Sequence, residues 1–197
     1  MKVKQTNYLL KTLVAGGMIL AVAGGSTLAA GPEALELIKL GDPYVGIQSK
    51  DKVVQIRSEK SIASLTPDIW YVVYYDPDAT FRAVEVKFGA GEKLDVSHPG
   101  RVLEWFGDAK DPLDPTKLNI DSERAIKIAA SKPLLKNLTL KASQLTLGHS
   151  DMGPVWKVRL WAAKLNNPDK QADIGLITLS AADGSIIKSD LRPDRVD

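Results

Sequence analysis

The sequence predicts an α+β fold of two tandem units, each a helical layer packed on an antiparallel β-meander. Three observations carry that expectation. The same order of signals, a short helix and then a run of strands, occurs twice within residues 31–197. Read with the period two of a strand, the middle strand candidates divide into a core face and a second face, as in Trp70, Val72 and Tyr74 against Tyr71, Val73 and Tyr75. Tight Gly- and Asp-containing turns separate many of the strand candidates, and so short a connection joins antiparallel strands only. The composition is that of an ordinary globular chain: 197 residues, 44% hydrophobic, 25% charged, 15 Gly, 11 Pro and no Cys. Collagen-like, disordered and disulfide-framework classes are excluded.

The first unit, 31–106, opens with Gly31-Pro32-Glu33-Ala34-Leu35-Glu36-Leu37-Ile38-Lys39-Leu40-Gly41. Pro in the first turn, a stripe of Ala34, Leu35 and Ile38, and a terminal Gly mark a short helix. Strand candidates follow at Lys52–Arg57, Ile69–Tyr75, Phe81–Phe88 and Lys93–Ser97, with a short helix expected at Arg101–Phe106. Asp-Pro steps at 111–112 and 114–115 make 107–118 an extended linker. The second unit, 119–197, opens with Asp121 as N-cap of a helix whose stripe is Ala125, Ile126, Ala129 and Ala130. Its strand candidates are Leu138–Leu147, Val155–Ala163, Asp173–Ser180 and Ser185–Ser189. The copies align: Ile69-Trp70-Tyr71-Val72 matches Val155-Trp156-Lys157-Val158, and Val86-Lys87-Phe88-Gly89-Ala90 matches Ile177-Thr178-Leu179-Ser180-Ala181. A period near 90 residues is too long for a solenoid and reads as a duplication of a domain.

Three stretches of the second copy carry a family resemblance. They are Ser122-Glu123-Arg124-Ala125-Ile126-Lys127-Ile128-Ala129, Val155-Trp156-Lys157-Val158 and Leu179-Ser180-Ala181-Ala182-Asp183-Gly184-Ser185-Ile186. Together they resemble the PepSY domain family of exported bacterial proteins, over most of 119–191 and more faintly over 32–97, where Gly91-Glu92 replaces the Asp-Gly turn. The resemblance implies a helical layer on an antiparallel sheet and a role in binding or inhibiting peptidases. It brings no catalytic residues and no cofactor.

The residues themselves also argue against catalysis. There is no Cys nucleophile, Gly-x-Ser-x-Gly elbow, phosphate loop, dinucleotide fingerprint or His-Glu-x-x-His helix. His98 and His149 fall at non-equivalent points of the two copies, so duplication has not built a pair of metal ligands. His149-Ser150-Asp151 has the residue types of a triad, but adjacent side chains diverge and cannot relay a proton. Asp108, Asp111 and Asp114 lack the Asp-x-Asp-x-Asp-Gly pattern of a calcium loop and read as solvated linker acids. The formal net charge of +2 owes three lysines to residues 1–30, and without them 23 bases face 24 acids. A near-neutral body carries no electrostatic footprint for nucleic acid.

The faces of the middle strands point to binding. Matching the copies puts Trp70 and Trp156 against the helices, so Tyr71, Val73 and Tyr75 occupy the opposite face of one unit. Lys157, Arg159 and Trp161 occupy it in the other. Tyr, Trp and Arg are favoured anchors of protein contacts. Tyr71, Tyr75, Lys157, Arg159 and Trp161 are therefore the candidate surface for a protein or peptide partner. Two sheets packing on each other would give the same pattern, and so would an ordinary amphipathic surface. A different function, carrying a small apolar ligand in a helix–sheet cleft, is also open.

Location is read from the first 29 residues. Lys2, Lys4 and Lys11 precede the uncharged stretch Thr12–Leu28, which ends in Ser26-Thr27-Leu28-Ala29-Ala30. A basic leader, an apolar stretch and small residues describe a secretory signal peptide. About 17 apolar residues, several of them Gly, are marginal for a bilayer span, which disfavours a membrane anchor. The expected location is periplasmic or secreted, without stable membrane insertion after cleavage. Mature protein should begin at Ala30, or at Gly31 if cleavage falls one residue later; N-terminal sequencing checks this, and Met1 on envelope-bound protein would refute it.

Overall fold

In a computed structural model, the structure describes residues 31–99 and 111–196. The expected signal peptide and the expected helix at Arg101–Phe106 lie outside them. The chain runs α1 (Glu36–Gly41), β1 (Val53–Ser58), β2 (Ile69–Tyr75), β3 (Ala83–Gly89) and β4 (Glu92–Ser97). It continues with α2 (Ser122–Ala130), β5 (Leu138–Gly148), β6 (Val155–Lys164), β7 (Asn167–Ser180) and β8 (Ile186–Leu191). Each strand begins and ends within two residues of its expected bounds except β7. That strand starts six residues early, because the polar run Asn167–Ala172 pairs with the end of β6 in a protruding hairpin.

The expected architecture of two separate helix-on-meander units is not what forms. All the strands join one antiparallel sheet of eight, in the order β4-β3-β2-β1-β5-β6-β7-β8. The first strands of the two meanders, β1 and β5, pair with each other through Ile56–Leu147 and Arg57–Thr146. The physical reason lies in edges and cover. Two separate meanders would each expose an unpaired row of backbone groups on the leading strand, and edge pairing removes both. Helices of six and nine residues are also too short to form a layer over a sheet unaided. Face-to-face packing of two sheets is overturned by the same pairing.

One face of this sheet holds the core. Val72, Tyr74, Val86, Phe88, Leu147, Trp156, Val158 and Leu160 belong to a single buried cluster with Ala34 and Leu37, and with Ala125, Ile126 and Ala129 of α2. Trp70 and Trp156 occupy matching positions and are 4% and 0% exposed. Their indoles satisfy themselves alike, donating to the carbonyls of Pro67 (2.9 Å) and Ile120 (2.7 Å). Tyr74 donates its hydroxyl to the Ile38 carbonyl at 2.9 Å, which pins α1 to β2. Gly41 makes room for that contact, since a Cβ there would collide with the Tyr74 oxygen.

The helix N-termini are fastened together. Asp121 caps α2 by accepting from the Ser122 amide at 2.6 Å, and it also accepts from the Leu35 amide at 3.1 Å. The Ser122 hydroxyl accepts from the Ala34 amide at 3.2 Å. A cap residue of the second helix thus serves the first turn preceding α1 as well. No helix among the described residues is long and apolar enough to cross a membrane.

Trp156→Ala should cost about 3–5 kcal/mol, as for other fully buried large aromatics. Trp161→Ala, on the partly exposed face, should cost about 1 kcal/mol or less. Denaturant melts of the two variants check this, and equal losses would contradict the assignment of faces.

Candidate binding face of the sheet

The face opposite the helices carries most of the charged side chains of the strands. Strand alternation puts them there: Ile56, Val72, Leu147 and Trp156 point into the core, so their neighbours point out. Along one register row stand Tyr71, Arg57, Thr146 and Lys157, on β2, β1, β5 and β6 in turn. Tyr71 and Lys157, matched by sequence between the two halves, each stand on the second strand from the β1–β5 seam.

Aromatic rings here are covered by cations rather than by apolar groups. The Arg57 guanidinium lies 4.0 Å from the centre of the Tyr71 ring, and the Lys87 ammonium 5.1 Å from it. Lys60 lies 4.6 Å from the Trp161 ring and donates to the Gln171 side chain at 3.3 Å. Such stacking lets a ring sit half-buried on a polar face while its cation stays hydrated. Acids fix the cations laterally. Arg57 pairs with Glu85, Lys87 with Glu59 at 3.2 Å, and Arg159 with Asp173 at 3.0 Å.

Tyr71 donates its hydroxyl to the Glu59 carboxylate. That hydrogen bond first, and the Lys87 ammonium second, hold the Glu59 carboxyl below its ordinary range. Lys87 is raised correspondingly, by Tyr71 first and then by Glu59. Tyr71, Glu59 and Lys87 therefore form one charge-linked group.

The five candidate residues are not all gathered. Tyr71, Lys157, Arg159 and Trp161 share the middle and one end of the face. Because β6 runs opposite to β2, Tyr75 lies toward the other end from Trp161. There Tyr75 packs on the small cluster of Val54, Val73 and Ala83, and its hydroxyl accepts from Arg82 at 3.1 Å. Sequence reading missed Arg57, Glu59 and Lys60. The alternation Val54-Gln55-Ile56-Arg57-Ser58 already places Arg57 on the polar face; what was invisible is that β1 lies at the centre of the sheet.

The residues considered for chemistry lie elsewhere. His98 sits 3.6 Å from Asp76 and is mostly exposed. His149 is half-buried in the turn between β5 and β6, next to a Ser150 that bonds back to the Gly153 carbonyl at 2.8 Å. Asp114 accepts from the Thr116 amide at 3.0 Å as a turn cap; Asp108 lies outside the described residues. Among the described residues no group of three His, Cys, Asp or Glu is placed to hold a metal.

No family model, no curated protein and no solved structure matches this chain.

Tyr71→Phe keeps the ring and removes the donor, so the Glu59 titration should move back up toward 4.5, its ordinary value. A carboxylate with a depressed folded value stabilises above its unfolded value and loses that contribution as pH falls through the folded one. Acid melts of Tyr71→Phe should accordingly lose this part of the pH dependence, below about pH 4.5. Carbon-13 NMR of the Glu59 carboxyl reads the shift directly, and an unmoved titration would show that the bond is not made in solution.

Proposed function

We propose that this protein is a non-enzymatic, exported binding module that docks a protein partner on the uncovered face of its sheet. One observation carries the reading: among the described residues the helices lie on one side of a broad sheet, and its other side presents Tyr71, Arg57, Lys157 and Arg159 about its middle and Trp161 toward one end. An antiparallel sheet tolerates a wet face, but a wet face needs no aromatic rings. Tyr and Trp give contact area at small entropic cost, and Arg gives directional hydrogen bonds. The PepSY resemblance of residues 119–191 supports the same class and suggests the partner's nature, a peptidase or another periplasmic protein. The basic and apolar leader supports export. The alternative of an apolar carrier has less support, because the helix–sheet interface is filled by Leu37, Tyr74, Ala125, Ala129 and Trp156, each no more than 1% exposed.

Tyr71→Ala combined with Arg159→Ala tests the reading. On a docking face the pair should abolish capture of the partner from native periplasm while shifting the melting temperature by a few degrees at most. Capture undiminished by the double variant would remove the proposal's residue-level support.

A further inference from the structure

The register of the sheet continues the central row to both sides. From β3 to β8 the residues in one line across the strands are Lys87, Tyr71, Arg57, Thr146, Lys157, Thr178 and Lys188. Cation and hydroxyl alternate without a break, and no acid occupies the row until Asp95 on β4. The cations stand on every second strand, so their Cα atoms are about 9.5 Å apart and the row from Lys87 to Lys188 spans roughly 29 Å along the backbone, while the heads of Arg57 and Lys87 both lie over the Tyr71 ring between them. Duplication alone did not produce this order. Tyr71 matches Lys157 and Lys87 matches Thr178, so the cations fall at non-equivalent places in the two halves yet keep one spacing across the seam.

The geometry points to an extended acidic peptide as the occupant of this row, with a carboxylate at every third residue. A polyproline II chain has three residues per turn and rises about 3.1 Å per residue, so every third side chain returns to one face after about 9.3 Å. Four carboxylates in ten residues cover about 28 Å, matching the four cations. Thr146 and Thr178 stand between the cations, where the peptide's backbone carbonyls pass, while the Tyr71 hydroxyl stays on Glu59. Strand twist of about 20–25° per strand accumulates to roughly 120–150° from Lys87 to Lys188, so the bound peptide winds with the sheet to meet all four cations, the Lys and Arg stems taking up the local mismatch. Glu59 and Asp190, both well exposed, hold Lys87 and Lys188 in ion pairs that an incoming carboxylate can replace, whereas Arg57 stays bonded to the buried Glu85 and meets the peptide with its remaining guanidinium N–H groups. Asp173 draws Arg159, in the adjacent row, to one side.

The inference rests on the reading that this face is the docking surface, and it adds the partner's chemistry. The test uses the full chain and a fluorescent (Glu-Pro-Pro)4 peptide, followed by anisotropy at low and high salt. Binding should weaken at least tenfold from 50 to 300 mM salt, and should vanish for (Gln-Pro-Pro)4. Lys157→Gln with Lys188→Gln should also cost at least tenfold; Lys188→Glu alone, on an exposed outer strand, repeats the test without risk to folding. Equal binding of an isomeric peptide with its four Glu contiguous would overturn the spacing. Tighter binding of polygalacturonate than of the peptide would overturn the occupant. Row variants that bind like wild type, or no peptide binding at all, would overturn the row. If the row fails while Tyr71→Ala with Arg159→Ala still abolishes capture of the native partner, the docking face stands and only its chemistry is wrong.

Discussion

The pairing of β1 with β5 is the interaction on which the rest of the structure depends. It is a short ladder, with only Ile56–Leu147 and Arg57–Thr146 in register. Serines extend it where the strands diverge. The Ser58 hydroxyl accepts from the Leu145 amide at 2.9 Å, and the Ser61 hydroxyl from the Ser143 amide at 2.9 Å. The Ser61 amide donates to the Ser143 carbonyl at 2.8 Å, and the Ser143 hydroxyl reaches the Leu65 carbonyl. Ser58, Ser61 and Ser143 are all buried, so each bond satisfies a group that water cannot reach. Losing one such partner leaves a buried donor unpaired at about 1–3 kcal/mol. The seam is thus held by backbone groups that side chains complete, and the hydrophobic core closes beneath it.

Everything on either face follows from that seam. On the core side it places Ile56 beside Leu147, so the clusters under Trp70 and Trp156 become one. The clasp of Asp121 and Ser122 on the amides of Leu35 and Ala34 needs the two helix starts side by side, which the same seam arranges. Burial of Asp121 raises its carboxyl despite those hydrogen bonds, so desolvation outweighs the capping interactions in setting its charge. On the outer side the seam puts Arg57 and Thr146 at the centre of the polar face, between residues that two separate sheets would have kept apart.

Most elements were legible in the sequence and their assembly was not. A run of seven β-branched and aromatic residues closed by Asp76-Pro77 marks a strand by composition alone, which is why Ile69–Tyr75 is recovered residue for residue. Asp121 is readable as a cap because capping is local. The β1–β5 pairing joins residues about 90 positions apart through a two-pair register. Nothing in Gln55-Ile56-Arg57-Ser58 names Thr146 as a neighbour; serines suit loops and turns as well as seams. The same blindness hid part of the candidate face. Tyr71, Lys157, Arg159 and Trp161 follow from alternation, whereas Arg57 and Lys60 matter only because of what stands beside them. Tyr75 has the right residue type and parity, yet the antiparallel course of β2 and β6 carries it away from Trp161. Parity assigns a face; only topology assigns a neighbour.

Pairing of the two halves through their first strands also bears on what the proposed surface would recognise. Either half alone offers four strands, about 14 Å from first to last, and two cations of the row. Two charges about 9.5 Å apart are met by almost any acidic surface, because flexible Lys and Arg stems tolerate several ångströms of mismatch. Four at regular intervals demand a ligand of matching length and repeat, since each further charge must be satisfied without losing the others. The seam keeps those intervals constant, because β1 and β5 sit at the ordinary strand spacing rather than at the variable distance of a linker. On the proposed reading of the row, selectivity for a repeating partner belongs to the joined sheet, and a flexibly tethered pair of the same halves would not possess it.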